Sequence, residues 1–462
     1  MSAPQTTSDR EAVGKAARAG APRSSHAAWE PGSDRPDPVE TLENQDKSRL
    51  QELVPVRHGR MLASAFTFYR GAAGIMAADL AATPRTGLDV QLCGDAHLSN
   101  FGAFMAPDRR LVFDINDFDE TLPGPFEWDV KRLAASFAVA GLALGLKGGQ
   151  RRSAVIDSAA AYREELRRLA AMRDIDVWYS RMDIEAVEQF RSQVSARTKK
   201  RFEKNLAKAE SKDSLRALSK LTRAEGDTLR IVSDPPLIVP VEEIVDRSGE
   251  EIEAGLKALL DQYRETLDRS VHHLASEYHY VHAARKVVGV GSVGTNAWIV
   301  LLTGRDSADP LFLQVKQAER SVLEPYSHAS RFKNQGRRVV EGQRLTQAAS
   351  DEFLGWLSFE GVDGTERDFY VRQLWDGKGS AEIEMMDLAT LRIYAKLCGW
   401  ALARAHARSG DRIAIAAYLG GGDAFDRAIG GFAEAYADQN QRDYDEFSAA
   451  VDSGRLSAEL NV

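Results

Sequence analysis

The stretch GVGSVGTNAWIVLLTG (residues 289–304) admits two structures that belong to different folds. Gly289, Gly291 and Gly294 fit the spacing GxGxxG. Between a strand and a helix, that spacing marks a dinucleotide-binding turn, because the helix N-terminus holds the pyrophosphate. Here the residues that follow are Trp298 to Leu302, an unbroken run of Trp, Ile, Val and Leu closed by a turn. Such a run reads as strand, which puts the glycines in a hairpin. A glycine-rich hairpin lets backbone amides close over nucleotide phosphates with no side chain in the way. Gly289, Gly291, Ser292 and Gly294 are therefore candidate phosphate-cradling residues.

The flanking sequence carries the same pattern. From Lys286 to Ala318, β-branched and aromatic runs are separated by Gly- and Asp-rich turns, as in an antiparallel meander, and DFYVRQLWD (368–376) supplies a further strand. One strand after the glycines, LFLQVKQA (311–318) sets Lys316 inside an apolar run. A lysine is rarely buried unless its charge is paired. In this context Lys316 suits a bridge between nucleotide phosphates and a helix carboxylate. Glu341, in the helical stretch GRRVVEGQRLTQAAS (336–350), is the candidate partner; Glu319 and Glu324 lie closer in sequence.

Further out the pattern becomes helical. RMLASAFTFYRGAAGIMAADLAA (60–82) has helical apolar spacing, ended by TPRTG. GPFEWDVKRLAASFAVAGLALG (124–145) begins with Pro and acidic residues, as helix N-termini prefer. Residues 151–228 read as mostly helical and include RTKKRFEKNLAKAESK (197–212), a basic run that fits a solvated face better than a nucleic-acid surface. Two long helical segments close the chain. Residues 1–48, rich in Ser, Ala, Pro, Gly and charge, read as a disordered tail. The expectation is an α+β protein: tail 1–48, helical lobe 49–280, antiparallel-sheet lobe 281–380, and helices 381–462 returning to the helical lobe.

Bulk properties exclude several classes. A net charge of −8 and a pI near 5.7 give no overall basic field for nucleic acid or anionic lipid. Cys93 and Cys398 are too few for a disulfide framework or a structural zinc site. No apolar run approaches the ~18 residues of a membrane helix, and the N-terminus lacks the apolar core of a secretory signal. A cytoplasmic location and no membrane partner are expected.

Two early stretches carry the chemistry: LCGDAHLSNFGAF (92–104) and LVFDINDFDE (111–120). GDAHLSN resembles the catalytic loop of aminoglycoside and choline phosphotransferases in the protein-kinase-like superfamily. The resemblance implies a catalytic base at Asp95 and a metal-binding amide at Asn100. DINDFDE is similar to that superfamily's metal-binding segment. Counted from Asn100, Asp114 has the better spacing; counted back from Asp129, which matches the structural Asp of the superfamily, Asp117 fits better, as does its DFD context. Cys93 departs from the His usual two places before the base. The implied cofactors are ATP and Mg²⁺. Such chemistry asks the protein mainly for positioning and charge neutralisation, with oxygen ligands for a hard cation.

In kinases the glycine loop and lysine precede the catalytic loop; here they follow it. The resemblance thus implies a two-lobed protein-kinase-like fold with circularly permuted order. FYVRQLWDGKGS (369–380) is expected to join the lobes, with Arg372 and Arg70 as candidate binders of anionic groups. The span from about 55 to 450 also resembles a bacterial family of uncharacterised proteins, domain of unknown function 2252. The leading expectation is an ATP- and Mg²⁺-dependent phosphotransferase acting on the hydroxyl of a small molecule, or less readily of a protein. The alternatives are a nucleotidyl (AMP) transferase, or a nucleotide-binding pseudoenzyme that switches a partner. Nucleic acid is a distant candidate.

Overall fold

The computed structural model describes residues 6–460 except 185–198, 201–203, 205–206, 208–213, 226–227, 246–248, 362–363, 375–376 and 378. Most of the basic run 197–212 lies outside the described residues. The expected tail is instead folded. Thr7–Gly20 is a helix whose cap is reciprocal: Asp9 N–H donates to Thr6 Oγ1 (3.2 Å) and Thr6 N–H to Asp9 Oδ2 (2.9 Å). It lies on the helix Arg412–Leu419 so closely that a Cβ at Gly14 would overlap the Ala414 carbonyl. Arg10 pairs with Asp411 at 2.8 Å, and Arg35 reaches both Asp79 (2.7 Å) and Asp443 (2.6 Å). Charge pairs and backbone proximity hold this segment, so a count of its apolar side chains underestimates its order.

The helical stretch 60–82 is broken into Val54–Leu62, Ala65–Gly71 and Ala73–Ala81, with Ser64 capping the second through the Thr67 N–H (3.1 Å). Strands β1 (Asp89–Leu92), β2 (Phe101–Met105), β3 (Leu111–Ile115) and β4 (Leu122–Pro125) follow, with β1 paired to β4 and β2 to β3. The helix Phe126–Ala143 is buried along nearly its whole length, between Gly148–Ala170 and the C-terminal helix Ala424–Asp452. Leu388–Ser409 returns from the far end of the chain to pack on Gly148–Ala170, β1 and β3. One apolar core, including Trp128, Phe137, Tyr162, Leu402, Ile415 and Phe432, joins early and late segments.

A hairpin, β5 (Thr222–Glu225) and β6 (Thr228–Ile231), leads to β7 (Ile238–Pro240), β8 (His279–Lys286), β9 (Ala297–Thr303), β10 (Pro310–Ala318), β11 (Gly355–Glu360) and β12 (Glu366–Gln373). The last six form one antiparallel sheet in the order β11-β12-β10-β9-β8-β7; short β13 (Gly379–Ser380) pairs with β2 instead. The chain is thus α+β. The unbroken run at 298–302 follows from cover on both sheet faces. Val300 and Leu302 pack toward the helices Gly249–Arg264 and Arg269–Ser276, while Ile299 and Leu301 pack toward Ser214–Leu221. Those helices belong with the sheet, so the boundary expected at 280 falls near residue 214. Helical periodicity shows that a segment is amphipathic but not which surface it covers.

Candidate functional site

The loop that leaves β1 is held at both ends. The Asp129 carboxylate, in the first turn of the Phe126–Ala143 helix, accepts the N–H groups of Cys93 (2.8 Å) and Gly94 (3.1 Å). Gly94 has φ +87°, a backbone state that favours glycine. His406 Nε2, from the returning helix, lies 3.2 Å from Asp129, and its Nδ1 lies 2.8 Å from the Tyr162 hydroxyl. Two residues before Asp95 stands Cys93, and it is His406 from the distant helix that meets Asp129. Leu98 N–H donates to Ser136 Oγ at 3.0 Å.

So fixed, the loop presents Asp95 to a cleft. Arg132 Nε donates to Asp95 Oδ1 at 2.8 Å, and His97 Nε2 is 3.6 Å from Oδ2. Burial, against the opposing pull of Asp95, pushes His97 down to about 3, so the ring is neutral. The Asn100 side-chain amide donates to the Asp95 carbonyl (2.8 Å), and Asn100 lines the same cleft.

After β3 the two candidate metal carboxylates part. Asp114 is buried, with Arg404 at 3.7 Å, and its carboxyl is pushed up by burial. It does not line the cleft; Asp117 does. Alternation along an extended segment separates positions at odd offsets, so the expectation for Asp114 as metal ligand is corrected in favour of Asp117.

Lys316 is buried on β10 and forms its ion pair with Asp119, not with Glu341, Glu319 or Glu324. Burial alone would depress its ammonium, but Asp119, with Tyr370 and Asp117, overcomes this and holds it above the ordinary range. Asp119 also accepts the Tyr370 hydroxyl (2.6 Å) and Ser292 Oγ (3.3 Å). Glu341 pairs with Arg337 within its own helix, Gln335–Thr346, at 3.4 Å. That helix meets the segment after β3 through Gly342, where a Cβ would crowd Thr121, and through Arg338, which donates to the carbonyls of Thr121 (2.7 Å), Asp119 (2.8 Å) and Glu319 (2.8 Å). The helix therefore meets residues 119–121 through Arg338 and not through the expected Glu341.

Arg372, expected to bind an anion, donates to Gln314 Oε1 (2.9 Å) and the Asn116 carbonyl (3.2 Å) and is not part of the cleft wall. It ties the sheet to the start of the segment after β3.

The cleft encloses about 290 Å³ and brings Asp95, Asn100, Asp117 and Asp119 opposite Gly289, Gly291 and Ser292. Gly289 and Gly294 have φ of +70° and +89°. A Cβ at Gly291 would stand 3.2 Å from the Arg70 carbonyl, so the hairpin rests on the Ala65–Gly71 helix. Arg60 donates to the Gly289 carbonyl (2.7 Å), and Leu50 N–H to that of Gly294 (2.8 Å). Gly294 faces Arg49 outside the cleft wall and anchors the loop rather than lining it. Burial pushes the Glu120 carboxyl, also in the wall, up to about 7.

Among the described residues, no three His, Cys, Asp or Glu side chains converge as a ready-made metal cage. The Asn100 and Asp117 oxygens suit Mg²⁺, which takes one or two protein carboxylates and completes its shell from phosphates and water. Sequence reasoning missed Asp119, Arg132, Arg338 and His406. Asp119 stood inside the quoted DFD, and Arg132 was visible as an arginine on an apolar helix.

A family model described as an uncharacterised protein conserved in bacteria matches residues 49–450. No curated protein and no solved structure matches the chain.

Proposed function

We propose that this chain, a member of the bacterial family of uncharacterised proteins DUF2252, is an ATP- and Mg²⁺-dependent phosphotransferase that acts on the hydroxyl of a small molecule. The observation that carries the proposal is the meeting at Asp119: Lys316 and Ser292 from the sheet reach a carboxylate in the segment that carries Asp117, across the cleft that Asp95 lines. A glycine loop between the first two strands of a meander, a lysine on the third and a helix after it also match how kinases hold nucleotide phosphates. This supports a kinase-like arrangement in permuted order.

Asp95, steadied by Arg132, accepts the acceptor's proton as the acceptor oxygen bonds to the γ-phosphorus of ATP. The bond from that phosphorus to the bridging oxygen breaks, and its electron pair leaves with ADP. Gly289, Gly291 and Ser292 offer backbone N–H groups to the phosphates with little side-chain obstruction. Lys316 adds positive charge behind them, positioned by Asp119. Asn100 and Asp117 would hold Mg²⁺, which when bound neutralises phosphate charge.

The test is incubation of the full chain with Mg²⁺, a metabolite pool and ATP labelled at either the γ or the α position. Transfer of the γ label alone is expected. Asp95→Asn should reduce transfer by about 10²–10⁴-fold, the usual worth of a general base, with Mg·ATP affinity kept within about threefold. Transfer of the α label would replace this reading with nucleotidyl transfer, and an active Asp95→Asn enzyme would remove Asp95 as base.

A further inference from the structure

The cations around the cleft differ in how far they are already engaged. Lys316 is taken by Asp119, and Arg132 by Asp95 and by the Tyr69 carbonyl (2.7 Å). Arg49 donates to the Val293 carbonyl (2.5 Å) and has Asp46 at 3.7 Å. Arg320 is exposed. Arg70 shares with Arg49 a place in the cleft wall and a buried Nε that has no hydrogen-bond partner, but differs from all of these in that, among the described residues, nothing forms a hydrogen bond or ion pair with its guanidinium. Arg70 is half-buried with its Nε sealed from water, and a cation so placed and left unpaired is unfavourable unless something else compensates it.

Its placement is constrained from two sides. Tyr69, the residue before it, accepts Arg132 at its carbonyl and donates its hydroxyl to the Arg132 carbonyl (2.7 Å), while Arg132 holds Asp95. The Arg70 carbonyl carries the Gly291 turn. One short, capped helix therefore sets Arg70 between the candidate base and the phosphate-covering hairpin. The carboxylates that attract its charge most are Asp95, Glu384 and Asp117.

The geometry points to Arg70 as a further catalytic residue, whose guanidinium contacts the phosphoryl group in flight between ATP and the acceptor. This inference rests on the phosphotransferase reading. In such a transfer, negative charge spreads over the three equatorial oxygens, and a planar guanidinium meets two of them at once. The breaking and forming P–O bonds are those already described; Arg70 takes no proton and only stabilises the charge. Arginines used this way in phosphoryl transfer are worth on the order of 10³–10⁵ in rate.

The experiment needs no acceptor. Calorimetry on the full chain compares affinity for Mg·ADP with affinity for Mg·ADP plus fluoroaluminate, a mimic of the transferring group. Wild type should bind the mimic at least 100-fold more tightly than Mg·ADP. Arg70→Ala and Arg70→Gln should lose that gain while keeping Mg·ADP affinity within threefold. Arg70→Lys should recover only part of it, and free guanidinium should partly restore Arg70→Ala. Circular dichroism confirms that each variant is folded. If wild type binds Mg·ADP but the gain is absent, or survives in folded Arg70→Ala, Arg70 has no such role and the phosphotransferase reading stands. If wild type binds no Mg·ADP at all, both fall together.

Discussion

A lysine buried in a strand must find a negative group, and the identity of that group determines what else it holds in place. Lys316 finds Asp119, which lies 197 residues away in the chain and one residue from Phe118 in the core. Asp119 keeps 28% side-chain exposure, whereas Lys316 keeps 3%. Replacing Asp119 with Asn should leave a buried ammonium facing a neutral amide. Removing one partner of a buried pair is strongly destabilising, and with Asp119 partly in water a loss of about 3 kcal/mol is expected in urea unfolding, with weaker Mg·ATP binding. Glu341→Gln should change stability by less than about 0.5 kcal/mol, since it removes only a partly exposed bond within one helix. Equal losses in the two variants would contradict the pairing described. That Asp95, Asn100, Gly289 and Gly291 would share one cleft was legible in the sequence because each sits in a short, distinctive stretch. The choice of Asp119 over Glu341 was not, because strand and loop meet only through the fold.

At the scale of elements, the helix Thr7–Gly20 shows how a segment with few apolar side chains still docks. Its contact with Arg412–Leu419 depends on Gly14, where the two backbones meet without a side chain between them, and on the Arg10–Asp411 pair. Gly14→Val should push the helices apart. The expected result is protease cleavage and fast amide exchange confined to residues 7–20, with the melting of the remaining chain little changed. Arg10→Ala should have a smaller effect, because a partly exposed ion pair contributes about 1 kcal/mol or less. Protection of residues 7–20 in Gly14→Val would refute the close approach. Composition averages over the first 48 residues concealed this helix, whereas the unbroken apolar run and β-branching of 297–303 exposed β9 plainly. The break of 60–82 into three helices was signalled by Ser64 and Thr67, a capping pair hidden inside an otherwise helical pattern.

For the whole molecule, the first and last parts of the chain close around one another, and of the histidines buried inside the result His26 and His97 are pushed furthest from their ordinary titration range. His26, from the segment after the first helix, is fully buried with its Nε2 2.8 Å from the Tyr418 hydroxyl, and burial, aided by the charge of Lys131, pushes it down to about 3. His97 in the cleft loop is pushed down to the same value. In the unfolded chain each titrates near 6.5. Between about pH 6.5 and 3 the unfolded state binds protons that the folded state refuses, so this stability is fully present above pH 6.5 and is lost as the pH falls. Glu120 acts the other way: its carboxyl, raised to about 7, favours the folded state at low pH and loses that advantage as pH rises from about 4.5 through 7. Between about pH 4.5 and 6.5 the glutamate therefore offsets one histidine. His26→Gln isolates one of these contributions. Whatever it does to stability at pH 7, its unfolding free energy should fall less steeply with acid than that of wild type, by about 1.4 kcal/mol per pH unit between pH 6 and 4. Urea titrations at successive pH values measure that difference in slope. Parallel curves would mean that His26 takes up its proton without leaving the Tyr418 pocket, and that the N-terminal segment does not rest on a neutral imidazole.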